Sequence, residues 1–247
     1  MRHALTIEQF GLSFVAGYAD TLSFIAMSGL FTAHVTGNMV LAAAHLSGQG
    51  DNLAVANLVM IPVFMAMVGL VALLARSRLF AGHPSTRMIG AFMALQFVLL
   101  VAFWVAGVAM TAHAGFPLAT TSTVIPVAVL GVAALAVQNA LPRLTGLQRL
   151  PTTVMTGNLT QSSIDLVGWT VACLRGQPGA RAETSARMRL MAPGVAGFFV
   201  GAAVAAPMTA WLHFHALAVA CAALLATTPA VLAGARAASA ARATTHE

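Results

Sequence analysis

Two short runs carry the residues best suited to bind something: Thr36-Gly37-Asn38 and Thr156-Gly157-Asn158, 120 residues apart. An asparagine amide offers a donor and an acceptor together. A glycine beside it lets a ligand or another backbone come close, and a threonine suits the cap of a following helix. A helix that begins there presents free N–H groups and a partial positive charge to an anion. Three acid–base side chains accompany the runs. Asp20 and Asp165 lie inside apolar stretches, where a carboxylate is a default candidate for proton or cation coupling. His34, two residues before Thr36, is the side chain that titrates most readily near neutral pH. Asn139 and Arg143 complete the set as a further amide and an anion-holding guanidinium. A hydrogen-bonded structural role is open for each of them, and Arg143, like Arg149, would equally reach for a membrane interface.

The triplets are parts of a longer match. Leu30 and Thr32 correspond to Leu150 and Thr152, and a polar interruption precedes each copy, Asp20 in one and Gln138-Asn139 in the other. Paired polar interruptions in two halves of a membrane chain are the best sequence pointer to a binding site. The membrane class itself follows from composition. The chain is 59% hydrophobic and 7% charged, against roughly 25% charged for a soluble domain. Several apolar runs reach the roughly 20 residues that cross a bilayer. The basic residues are 12 arginines scattered through short loops, a pattern that argues against nucleic-acid binding. Cys173, Cys221 and the His213-x-His215 pair lack disulfide or metal spacing, so neither metal nor cofactor is expected. The N-terminal apolar stretch lacks a cleavage zone and is expected to be retained.

Eight apolar segments must position these residues, roughly 6–27, 31–47, 53–75, 88–110, 123–141, 152–174, 189–211 and 213–234. Eight full crossings would scatter the arginines over both sides, contrary to the positive-inside bias. If the first two segments form one broken crossing, and the fifth and sixth another, most of the arginines fall on the cytoplasmic side. The expected fold is therefore an all-α integral membrane protein with about six net crossings. They form two three-span repeats, 1–111 and 112–235, followed by a disordered cytoplasmic tail, 236–247. Three crossings is an odd number, so the second repeat is inverted. Segment six carries hydroxyl and amide rows (Thr152, Thr156, Thr160, Ser163; Asn158, Gln161, Asp165) and is expected to face protein or water. Gly197-x-x-x-Gly201 with Ala205 predicts close helix packing, within the bundle or at a homodimer seam.

The runs Gly17-Tyr18-Ala19-Asp20, His34-Val35-Thr36-Gly37-Asn38, Gln138-Asn139-Ala140 and Leu150-Pro151-Thr152-Thr153-Val154-Met155-Thr156-Gly157-Asn158-Leu159-Thr160 resemble the YoaK family. This is a group of bacterial multi-spanning membrane proteins known as a domain of unknown function. The resemblance covers most of the chain. It implies a six-span inner-membrane protein and no particular substrate. No enzyme signature is present in the sequence. The expectation is a small-solute transporter in the bilayer, open to proton coupling, with both termini cytoplasmic and a midplane site at the two triplets. The alternative is a non-transporting assembly or sensor protein whose polar breaks only pack.

Overall fold

The computed structural model describes residues 2–47, 53–80, 85–145, 152–153 and 155–243, with the side chains of 2–4 and 241–243 left aside. Their regular structure is helical, and no strand occurs among them. In order the helices are α1 (Arg2–Ala26), α2 (Val35–Leu46), α3 (Ala54–Arg76), α4 (Ser85–Ala114), α5 (Thr121–Leu144), α6 (Met155–Leu174), α7 (Pro178–Leu212) and α8 (Leu217–Ala243); one 3₁₀ turn, His213–Ala216, joins the last two. Each expected apolar segment has its helix. Two extend further than hydropathy suggests. The stretch 175–187 was expected to be a loop, but α7 starts at Pro178, because proline suits a first turn whose N–H has no partner anyway. The tail expected to be disordered from 236 is helical as far as Ala243, in keeping with alanine's helix propensity; residues 244–247 lie outside the described residues.

Among the described residues, four helical stretches are long and apolar enough to cross a membrane: Ala54–Arg76, Ser85–Ala114, Thr121–Leu144 and the continuous run Pro178–Ala240. The chain is an integral membrane protein. α1 is as long as these but carries Glu8, Gln9, Ser13, Asp20 and Ser23, all buried. Such a helix is stable only inside protein, and α1 and α5 indeed form the centre. α1 packs on α7 and α8, α5 on α3 and α4, and the two touch each other; α4 meets α8. α2 rests on α3 and α6 on α7, as outlying arms.

Close approach of α1 and α7 depends on missing side chains. A Cβ at Gly197 would overlap the carbonyl of Phe10, one at Gly201 that of Phe14, and one at Gly17 that of Phe198. The small-residue face therefore serves packing inside this bundle. Tyr18 adds a buried hydrogen bond from its hydroxyl to the Ala216 carbonyl, 2.9 Å, tying α1 to the 3₁₀ turn.

α6 differs from expectation. Its buried residues are Met155, Asn158, Asp165 and Ala172, a narrow stripe against α7. The hydroxyl row Thr156, Thr160, Ser163 is exposed on this chain. It needs no wet interior, because Thr160 and Ser163 donate to the carbonyls of Thr156 and Leu159 one turn back.

The glycine contacts predict that Gly197→Leu destabilises the protein by about 1–3 kcal/mol, since backbone cannot move aside as a side chain can. Gly69→Ala in α3, where an added methyl meets nothing within 4 Å, is expected to be neutral or stabilising. Melting of the purified protein in detergent compares the two.

Candidate functional site

The first break begins where α1 stops. Ser28 (φ 47°) and Gly29 (φ 98°) take left-handed conformations, and the Gly29 N–H reaches back to the Phe24 carbonyl at 2.8 Å, a helix-ending turn. Residues 31–33 then run without helical hydrogen bonds. In a membrane each unpaired backbone group would cost several kcal/mol, and α1 supplies the partner. Asp20 Oδ1 accepts the N–H groups of Thr32 (2.8 Å) and Ala33 (2.7 Å), with that of His34 at 3.4 Å. Asp20 Oδ2 meets His34 Nδ1 at 2.6 Å. The carboxylate is 2% exposed, so its charge is held almost wholly by these four groups.

Asn38 closes the other side. Its Oδ1 accepts the Phe31 N–H (2.9 Å) and its Nδ2 donates to the Phe31 carbonyl (2.8 Å). Both ends of the amide are thus spent on the loop, and Asn38 is fully buried. Gly37 receives the Phe31 ring, whose edge would lie 2.9 Å from an added Cβ. Thr36 is not the helix cap expected of it. That position falls to His34, with no side-chain cap bond, because Asp20 from α1 binds the backbone leading into α2 instead. Likewise α6 starts at Met155, so Thr156 lies inside its first turn.

Beside this loop lies a cavity of about 510 Å³. Asp20, Thr21, His34, Thr36 and Gly37 form its polar side, and Phe24, Phe31 and Phe198 of α7 its apolar side. His34 stands at its edge, its side chain 35% exposed, with its ring edge-on to Phe198 at 5.4 Å. Nδ1 is committed to Asp20, so Nε2 is the nitrogen left to exchange a proton or meet a solute.

The second break repeats the anchoring with neutral groups. Gln138 Nε2 donates to Thr152 Oγ1 (3.0 Å) and to the Leu12 carbonyl (2.8 Å), and its Oε1 accepts from Gln96 (2.7 Å). Asn139 accepts a hydrogen bond from Thr153. Each anchor reaches 14 residues ahead, as Asp20 does to His34. Arg143 is exposed and caps its own helix through Nη1 to the Asn139 carbonyl, 3.0 Å; Arg149 lies outside the described residues. Glu8 was not picked out from the sequence. It is fully buried and lines a small cavity with Gln9, Gln138 and Thr152. Its position near the start of an apolar run resembles that of a solvated terminus, and only its depth distinguishes it.

Asp165 sits apart on the α6–α7 contact. Its Oδ1 takes Arg187 Nε at 2.9 Å and Nη2 at 2.8 Å, while Arg187 Nη1 meets Glu183 at 2.6 Å. Of the residues expected at one shared site, the structure gathers Asp20, His34, Thr36 and Gly37 around the first cavity, with Asn38 behind them. Thr156, Gly157, Asn158, Asn139, Arg143 and Asp165 do not line it. The triplets lie on different arms, α2 against α3 and α6 against α7.

A family model described as a protein of unknown function, DUF1275, matches residues 9–230. No curated protein and no solved structure matches.

Asp20→Ala leaves the Thr32 and Ala33 N–H groups without their acceptor and is expected to lose about 1–3 kcal/mol for each. Asp20→Asn keeps an acceptor and should lose clearly less. Melting curves of both variants check this; an Asp20→Ala protein as stable as the parent would remove Asp20 from its anchoring role.

Proposed function

The chain belongs to the DUF1275 family, and from that premise and the site just described we propose that it is a small-solute transporter of a bacterial inner membrane, within the YoaK group. One observation carries the reading. A broken helix places a buried carboxylate, a partly exposed histidine and an open cavity of about 510 Å³ side by side. Irregular backbone at membrane depth is tolerated where it lines a cavity, and in transporters such breaks form the solute site. The solute would enter between the phenylalanines and meet His34 and Thr36. The Asp20–His34 pair would carry the coupling proton. His34 takes it on Nε2, and Asp20 holds the resulting imidazolium through Nδ1. Asp165, engaged by Arg187, acts in this reading as a pin between α6 and α7.

The packing is what a pair of inverted three-span repeats would give, and the arginine positions favour placing both termini on the cytoplasmic side. Exchanging α1 with α5, α2 with α6, α3 with α7 and α4 with α8 carries the principal helix contacts onto one another. α1–α7 becomes α5–α3, α4–α5 becomes α8–α1, α6–α7 becomes α2–α3, and α4–α8 and α1–α5 map onto themselves. A duplicated three-span unit has this property, and an odd span count inverts it. The two triplets then occupy equivalent places in the two halves, one on each arm.

The exposed hydroxyl row of α6 favours a second reading, in which that face meets another subunit, a second copy included, and the protein senses or assembles rather than transports.

Uptake into proteoliposomes from a panel of small solutes, with and without an inward proton gradient, separates the two. The transporter reading expects one solute class to accumulate with the gradient. It also expects His34→Gln to lower gradient-driven uptake by roughly tenfold or more, in protein that still folds and inserts. Uptake by His34→Gln with undiminished proton dependence would move the coupling elsewhere. A parent protein that moves no solute would leave the assembly reading.

A further inference from the structure

A second cleft, of about 780 Å³, lies far from the Asp20 loop in sequence terms, between the start of α1, the last turns of α6 and the first turns of α7. Its character differs from the first. Arg181, Ser185 and Arg189 lie on one face of α7 at successive turns and line it, opposite Trp169 of α6 and Leu5 of α1. Arg181 and Arg189 are exposed, eight residues and so about 12 Å apart along the axis. A guanidinium reaches about half that distance, so both can converge over Ser185, one turn from each. The nearby acids form no ion pair with them among the described residues. Asp165 and Glu183 are both engaged by Arg187, and Glu8 is buried in the other cavity beside Gln138. The rest of the cleft is apolar, with Leu190 and Pro193 continuing the face away from the arginines.

Two cations with no acidic partner among the described residues at one end, a largely apolar floor and an indole at the side match an amphiphile with a charged head. We propose that this cleft binds an anionic phospholipid of the surrounding leaflet, its phosphate between Arg181 and Arg189 and its acyl chain along Trp169, Leu190 and Pro193. Arg fits phosphate with paired N–H donors, and basic pockets between membrane helices take anionic headgroups. Trp169 sits where tryptophan is favoured, at the boundary between apolar chain and headgroup. The arginine-rich end of the bundle is also the end that the positive-inside bias places toward the anionic cytoplasmic leaflet. The Asp165–Arg187 pair holds α6 to α7 beneath the headgroup and so fixes the width of the cleft. The inference rests on the membrane placement of the chain and is independent of whether it transports.

The test uses the full-length protein in detergent, titrated separately with phosphatidylglycerol, phosphatidylcholine and inorganic phosphate. Retained lipid is read by native mass spectrometry and the melting temperature is followed in parallel. Phosphatidylglycerol is expected to remain bound and to raise the melting temperature, whereas phosphatidylcholine and inorganic phosphate do neither. Arg181→Gln/Arg189→Gln should bind phosphatidylglycerol roughly tenfold more weakly. Its lipid-free melting temperature should be unchanged, because neither side chain holds the bundle together. Arg78→Gln, on another loop, should bind as the parent does. If the double variant melts early, Arg181→Lys/Arg189→Lys replaces it: retaining charge but not the paired donors, it should bind with intermediate strength. Equal retention of phosphatidylglycerol by the variant, or of phosphatidylcholine by the parent, would overturn the site. Stabilisation by inorganic phosphate alone would overturn the lipid as its occupant.

Discussion

A chain that leaves the helix inside a packed helical bundle must find partners for every backbone group it frees, and this requirement shapes the centre of the molecule. Asp20 meets it at the first break, giving one buried oxygen to the N–H groups of Thr32 and Ala33 and the other to His34. A carboxylate satisfies several donors at once more strongly than a neutral acceptor can, and its own charge is in turn held by them. Helices α1 and α5 are central because they carry the anchors, Asp20 on one and Gln138-Asn139 on the other. Both must be surrounded by protein for those polar side chains to be tolerable.

The two halves solve the same problem with different charge. The first break is anchored by an acid from its own preceding helix. The second is anchored by amides, Gln138 and Asn139, with a chain of contacts from Gln96 through Gln138 to Thr152. The acid near that second break, Glu8, comes from α1 and therefore from the opposite half. Symmetry in packing thus coexists with asymmetry in electrostatics. Among the described residues, only the first break combines its carboxylate with a partly exposed histidine and an aromatic-walled cavity. This is why the functional reading settles there.

Much of the fold was legible because long apolar runs, arginine positions and polar interruptions are local signals. The eight helices, the first break after α1 and the packing role of Gly197 and Gly201 could be read from the chain; most of the second break lies outside the described residues. What a side chain bonds to could not. Asn38 reads as a ligand amide but spends both ends on Phe31, a partner seven residues away that a capping pattern does not reveal. Thr36 reads as a cap until a distant carboxylate is seen to do that work. Asp165 reads as an isolated membrane acid because Arg187 was assigned to a loop. Once α7 is known to begin at Pro178, Arg187 is a helix residue facing it. Glu8 was overlooked because burial near a chain end depends on tertiary packing alone, and α6 because hydroxyls that bond their own backbone make a polar row compatible with exposure.

The account stands on one spatial claim: that the His34 ring lies at the edge of the cavity where a solute binds, with Nδ1 held by Asp20 and Nε2 open. Diethyl pyrocarbonate modifies the free nitrogen of accessible imidazoles, and peptide mass spectrometry reads the extent at each histidine separately. On membranes containing the parent protein, the account predicts that His34 is modified and that a solute bound in the cavity protects it, while His213, stacked on Phe116 at 4.0 Å, gains no protection from that solute. A His34 that resists modification, or one whose modification is indifferent to every solute of the uptake panel, would contradict it.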